Sequence, residues 1–167
     1  NIAEDHLGDF GSQDVNELLN IKWVTSRAVR RSGTLILNAD DALLVAKATE
    51  HRGEISWFSL DANNAVIADC VASGGRGFVL DDGHLRMVTR EASEDICLAA
   101  SIPITLGGAA KHNVANALAA AALSYHLGIS LQHISAGLCS MRQDDNPGRC
   151  NVYDINGVKV LVDFAHN

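Results

Sequence analysis

The chain has 167 residues, 47% of them hydrophobic, and a formal net charge of −7 at neutral pH. That size and apolar content describe one globular domain, or one domain plus a piece of another, and the acidic balance argues against a nucleic-acid or anionic-membrane partner. No apolar run is long enough to span a bilayer, and the start is no signal peptide. The four cysteines (Cys70, Cys97, Cys139, Cys150) are scattered with no CxxC pair; they read as reduced thiols of a cytoplasmic protein, with neither a zinc site nor a disulfide framework indicated.

The chain opens NIAEDHLGD and stops at LVDFAHN directly after an apolar run, which reads as a fragment of a longer protein. Asp14 to Arg31 predicts a helix, with Asp14 and Glu17 as a capping-box-like start and Gly33 beyond its end. TLILN (Thr34 to Asn38) is a short apolar strand of the kind buried on both faces. Asp40 or Asp41 caps a helix to about His51, and EISWFSL is the next strand. Asn63 to Gly75 is turn-rich and left unassigned. GFVLDDGHLRMV predicts a hairpin about Asp82-Gly83, and Ile96 to Leu106 a strand. Ala110 to Leu127 is a strong helix stopped by Gly128, and Leu131 to Cys139 is another. Asn146-Pro147-Gly148 breaks the chain. Cys150 to Ile155 and Val158 to Asp163 then form a hairpin about Asn156-Gly157. This alternation means an α/β fold, a mostly parallel sheet covered by helices with a small antiparallel hairpin region.

One residue stands out on the first helix. At 100° per residue, Val15, Leu18, Leu19 and Val29 form one apolar stripe, and Lys22 falls in its middle. One reading is a snorkelling side chain that lays its stem on apolar surface. The other is a desolvated amine with a lowered pKa, able to add carbon dioxide and become a metal-holding carbamate. Elsewhere, His6 lies among Glu4, Asp5 and Asp9, either a solvated turn or a ligand set for a divalent cation. Gly107 and Gly108 precede a helix whose first turn offers free N–H groups. Asn113 and Asn116 share a face of it, where they suit the edge of an adenine or, for Asn113, a cap. The alanines at 117 and 119–121 allow close approach of backbone or a flat ligand. Arg149 follows the Pro-Gly break and suits a phosphate or a surface salt bridge. Asp163 ends an apolar strand, where an acid holds a ribose hydroxyl or caps a helix. His166 is open to loop or site.

The order of these pieces carries a resemblance. Asn1-Ile2-x-x-Asp5-His6-Leu7, a lysine on the next helix, Asn38-Ala39-Asp40-Asp41, His112-Asn113-x-x-Asn116-Ala117, Gly148-Arg149 and Val162-Asp163-x-Ala165-His166-Asn167 together resemble the Mur ligase superfamily over essentially the whole chain. Within it, His6-Leu7-Gly8, the sixteen-residue step to Lys22 and the two C-terminal motifs look most like the cyanophycin synthetase branch. The resemblance implies residues 1–147 as part of a central ATP-binding domain, and 148–167 as the first hairpin of a Rossmann-like C-terminal domain that needs packing partners. It implies an ATP-dependent carboxylate–amine ligase acting through an acyl phosphate. Carried over by position, His6 is a magnesium ligand, and Lys22, as a carbamate, holds a second magnesium. Asn113 and Asn116 contact adenine, Arg149 reaches the phosphates and Asp163 takes the ribose; Lys22 and Arg149 are the catalytic candidates. The cofactors implied are ATP and Mg2+. The partners are small-molecule or peptide carboxylates and amino acids, with no nucleic acid and no membrane; oligomeric state is left open, a homo-oligomer included.

The family's GxxGxxGK[ST]-like phosphate loop does not occur in these residues, since GGRGF (Gly74 to Phe78) lacks the Lys-Ser/Thr pair. The isolated fragment is therefore expected to be inactive. Two alternatives stay open: a folylpolyglutamate- or peptidoglycan-precursor-type ligase, and a non-catalytic nucleotide-binding module of the same fold.

Overall fold

The computed structural model describes Ile2 and residues 13–164. His6 and its acidic neighbours lie outside the described residues, as do Ala165, His166 and Asn167.

Helix α1 (Val15–Trp23) starts at Asp14, whose Oδ1 accepts the N–H groups of Asn16 and Glu17 at 2.8 and 2.9 Å. Glu17 Oε2 returns to the N–H of Gln13 at 2.7 Å, one residue before the cap, so the capping box is displaced outward by a residue. Leu18 and Leu19 are buried, as the stripe requires. The helix does not reach Arg31. Beyond Trp23 it tightens into a 3-10 segment, Val24–Ala28. There the hydroxyls of Thr25 and Ser26 donate to the carbonyls of Lys22 and Trp23 at 2.9 and 2.7 Å, competing for backbone acceptors three residues back. Val29, now extended, falls off the stripe.

A five-stranded sheet follows in chain order, β1 (Thr34–Asn38), β2 (Glu54–Ser59), β3 (Gly77–Asp81), β4 (His84–Val88) and β5 (Ser93–Leu98). The first three strands are parallel and the last two antiparallel. The crossovers are α2 (Ala42–Lys47) and α3 (Ala65–Ala72), and both lie on one face, as right-handed connections between strands added in one direction require. On that face Leu37, Trp57 and Val79 pack against Leu19, Leu44, Ala48 and Ile67. On the other, Phe58, Phe78, Leu85 and Met87 meet α4 (Lys111–His126) and α5 (Leu131–Ser140). The result is three layers, helix–sheet–helix. The β3–β4 turn places Asp82 and Gly83 at φ 45° and 79°, the left-handed pair of a type I′ hairpin.

Two segments differ from expectation. The unassigned stretch 63–75 contains α3, capped by Asn64 Oδ1 on the Val66 N–H at 2.9 Å. The strand expected over 96–106 ends at Leu98 and gives way to 3-10 turns, Ala99–Ser101 and Pro103–Thr105. The Thr105 hydroxyl sits 2.6 and 2.8 Å from the carbonyls of Ala99 and Ile102, and Pro103 has no N–H for a ladder. The last strands, β6 (Asn151–Ile155) and β7 (Val158–Val162), form a separate antiparallel hairpin with Tyr153, Ile155, Val158 and Leu161 exposed. Among the described residues, no helix is long and apolar enough to cross a membrane.

Candidate functional site at the carboxyl edge of the sheet

Helix α4 runs opposite to the parallel strands. Its first residue, Lys111, lines a small cavity with Leu80 and Gly83, at the far end of β3. Near its last turn the Tyr125 ring carries the guanidinium of Arg76, which precedes β3, 5.7 Å from its centroid. The N-terminal turn of α4, with unpaired N–H groups and the positive end of the helix dipole, therefore lies at the carboxyl edge of the sheet. That edge is where open α/β sheets gather ligands.

Two aspartates close the same edge. Asp40 takes the Ser59 hydroxyl on Oδ1 at 2.5 Å and the Leu60 N–H on Oδ2 at 2.8 Å, with the Asn64 amide 3.2 Å from Oδ1. It fastens the end of β1 to the end of β2. Asp41 Oδ1 caps α2 through the N–H groups of Leu43 and Leu44, and its Oδ2 accepts the Ile2 N–H at 2.6 Å. Both carboxylates are taken up by these bonds and serve as scaffold.

The first turns of α4 and the base of the hairpin converge. Asn113 is buried and its Nδ2 donates to the Ile104 carbonyl at 2.7 Å, holding the preceding 3-10 turn against the helix. Asn116, one turn on, is exposed. Asn151 Oδ1 accepts the N–H groups of Gly148 and Arg149. The Arg149 guanidinium lies over the Phe164 ring, 5.9 Å from its centroid, and the Phe164 N–H donates to the Gly148 carbonyl at 2.7 Å. Asp163 caps no helix among the described residues; its Oδ1 accepts the Cys150 N–H at 2.9 Å. Cys150 is held at φ 55°, the left-handed region, and its thiol sits 3.4 Å from His112 Nε2. Burial pushes that thiol's pKa up, and the nearby Asp163 carboxylate adds to the effect.

Lys22 lines a cavity that shares no residue with the one at the start of α4. It is half-buried on the outer flank of β1 and lines a cavity of about 210 Å³ with Ile2, Trp23, Thr25, Leu35 and Leu37. Lys22 lies beside β1, and Asn113, Asn116, Arg149 and Asp163 lie around the first turns of α4 and the hairpin base. His6 is outside the described residues.

Residues 1–124 match the Mur ligase middle domain. The chain belongs to the Mur ligase family. Among Mur ligase relatives, the cyanophycin synthetase of Nostoc sp. is 34% identical over the whole chain, and that of Geminocystis herdmanii 35%. The UDP-N-acetylmuramoyl-tripeptide–D-alanyl-D-alanine ligase of Mycobacterium bovis is 32% identical over 83% of the chain, which spans 24% of that enzyme. The chain spans 19% of the length of the two cyanophycin synthetases.

Sequence reading did not give Cys150 or His112 a role, nor Asp40 its place at the strand ends. His112 and Asp40 stood inside motifs quoted for the family, and Asp40 sits where any acid after a parallel strand meets the next strand's loop. Nothing near Cys150 announces its neighbours, because they come from residues 38 and 13 positions away. The donor set suits a nucleotide at the edge: a helix N terminus and Arg149 for phosphate, a carboxylate for ribose hydroxyls. The Lys22 cavity is walled mainly by Trp23, Leu35, Leu37 and Leu44.

Proposed function

We propose that this chain is part of an ATP-dependent carboxylate–amine ligase of the cyanophycin synthetase kind, working in a reducing, cytoplasmic compartment. The single observation that carries this reading is the similarity to cyanophycin synthetases along the whole chain. The gathering of α4, Arg149 and Asp163 at the carboxyl edge supports it, and the four free thiols suit the compartment. Residues 1–147 are assigned to the central nucleotide-binding domain, and 148–167 to the start of the domain that follows.

In this reading Asp163 accepts ribose hydroxyls and Arg149 meets phosphate oxygens from the hairpin base. Asn116 turns its amide to the adenine, and Asn113 offers Oδ1 to the base while Nδ2 fixes the Ile104 turn. Lys22 as a carbamate, with His6, would hold magnesium, which would supply positive charge to the transferring phosphoryl group. A substrate carboxylate oxygen attacks the γ-phosphorus of ATP, and ADP leaves. An amino-acid amine then attacks the acyl phosphate, the carbon–oxygen bond to phosphate breaks, and an amide forms with release of a proton. Arg149 offsets charge on the phosphoryl oxygens in both steps. The substrates are small-molecule or peptide carboxylates and amino acids.

The phosphate released must carry one oxygen from the carboxylate substrate. The full-length protein, given a carboxylate substrate labelled with oxygen-18 and an amine, is expected to deliver one labelled oxygen to phosphate per amide formed. Unlabelled phosphate alongside amide would refute the acyl-phosphate route. A second reading, a peptidoglycan-precursor-type ligase, is favoured by the 32% identity to the mycobacterial enzyme. Turnover with a muramoyl peptide and none with arginine, lysine or glutamate would select it.

A further inference from the structure

Three ligand-type atoms from separate elements meet beside the hairpin base. His112 Nε2, Cys150 Sγ and a carboxylate oxygen of Asp163 lie within 4.8 Å of one another. The thiol is 3.4 Å from His112 Nε2 and 3.7 Å from Asp163 Oδ1. A tetrahedral zinc site, with bonds of about 2.3 Å to sulfur and about 2.0–2.1 Å to nitrogen and oxygen, requires edges of roughly 3.5 Å between ligand atoms. Both sulfur edges come within a few tenths of an ångström of that value.

We propose that His112, Cys150 and Asp163 form a binding site for a borderline-soft divalent cation of the zinc class, with a fourth position open to water. Sulfur among the ligands disfavours magnesium and calcium, which take oxygen donors. The cluster is not arranged as an activated nucleophile. Such a site needs the acid to orient the histidine, whereas Asp163 bonds the Cys150 N–H and faces its sulfur. A carboxylate beside a buried thiol opposes thiolate formation, and a cation between them reverses that balance. Cys150 is 5% exposed and forms the floor of the site, while the exposed His112 marks the way in. The ion would tie the first turn of α4 to both ends of the β6–β7 hairpin. Asp163 is also the proposed ribose contact, so ion and nucleotide would exclude each other there; that consequence alone rests on the ligase reading.

Cobalt(II) added to the purified, reduced full-length protein tests the site without any substrate. The expected result is one equivalent bound, with a thiolate-to-cobalt charge-transfer band in the near ultraviolet that zinc(II) abolishes by displacement. Cys150→Ser should remove the band. His112→Gln, a change at an exposed position, should weaken binding by at least about tenfold, and Cys139→Ser should leave it intact. No thiolate band in the parent chain, or a band that survives in Cys150→Ser, overturns the proposal. Circular dichroism of each variant separates loss of the site from loss of the fold.

Discussion

Asp41 joins Ile2 to the start of α2 through one carboxylate. Oδ2 accepts the Ile2 N–H at 2.6 Å, while Oδ1 caps the helix at Leu43 and Leu44. The opening of the Asn-Ile motif is thereby fixed to the end of β1. Asp41→Ala is expected to cost about 1–2 kcal/mol in urea unfolding, the range for a lost N-cap. Asp41→Asn should retain most of the cap. Equal stability of Asp41→Ala and the parent would deny the carboxylate this role.

Gly77 opens β3 where α3 crosses it. A Cβ there would meet Ile67 Cγ2 at 2.8 Å and Val88 Cγ2 at 3.1 Å, both in the core layer under the crossover helices. Gly77→Ala should therefore destabilise by about 1–3 kcal/mol through overpacking, despite alanine's smaller loss of backbone entropy on folding. The paired variant Gly77→Ala/Ile67→Val removes one crowding atom and should recover part of the loss. An unchanged denaturation midpoint in Gly77→Ala would show that the helix moves aside freely.

Alkaline pH should unfold the chain through its thiols. Burial, with Cys139 beside it, pushes Cys97 up to about 12, whereas an unfolded thiol ionises near about pH 8.5. The neutral form is the one the fold favours. Its contribution is full below about pH 8.5 and is lost as pH rises toward the folded value, at about 1.4 kcal/mol per pH unit. Cys70 and Cys150, also raised chiefly by burial, act in the same direction. Urea midpoints between pH 8 and 10 should fall more gently in Cys97→Ala than in the parent; parallel declines would remove Cys97 from the explanation.

Acid acts through a different residue. Burial lowers the pKa of His126, with Glu54 opposing and Arg76 adding, and Nε2 is buried with no hydrogen-bond partner among the described residues. The folded chain favours the neutral ring, so this contribution is present above about pH 6.5 and is lost as pH falls through the lowered value. His126→Gln should flatten the loss of stability between pH 6.5 and 5 measured by urea unfolding. An identical acid limb would exclude the ring.

The layers of the fold were legible because their causes are local. Asp14 and Asp41 cap the helices that follow them, Asp82-Gly83 and Asn156-Gly157 take the left-handed turns their residue types favour, and TLILN, half-buried at the sheet edge, packs Leu37 against one helix layer and Ile36 against the other. What failed depended on competition between bonds of similar strength. Thr25 and Ser26 turn the end of α1 into a 3-10 segment, and Thr105 with Pro103 does the same to the expected end of β5. Helix α3 was missed although Asn64 signals its cap, since the asparagines and glycines around it read as turns. At the site, the family motifs offered Asn113, Asn116, Arg149 and Asp163 as candidates, whereas the neighbours of Cys150 depend on how the hairpin returns to α4.

This chain is proposed to serve an ATP-dependent carboxylate–amine ligase. Phosphate release from ATP by the full-length protein tests it most directly, with arginine, lysine and glutamate offered as amines beside a carboxylate acceptor. Release is expected to require both the acceptor and one of the amines, and to fall by roughly 10²–10³-fold in Lys22→Ala. Release that ignores both substrates, or that persists undiminished in Lys22→Ala, would contradict it.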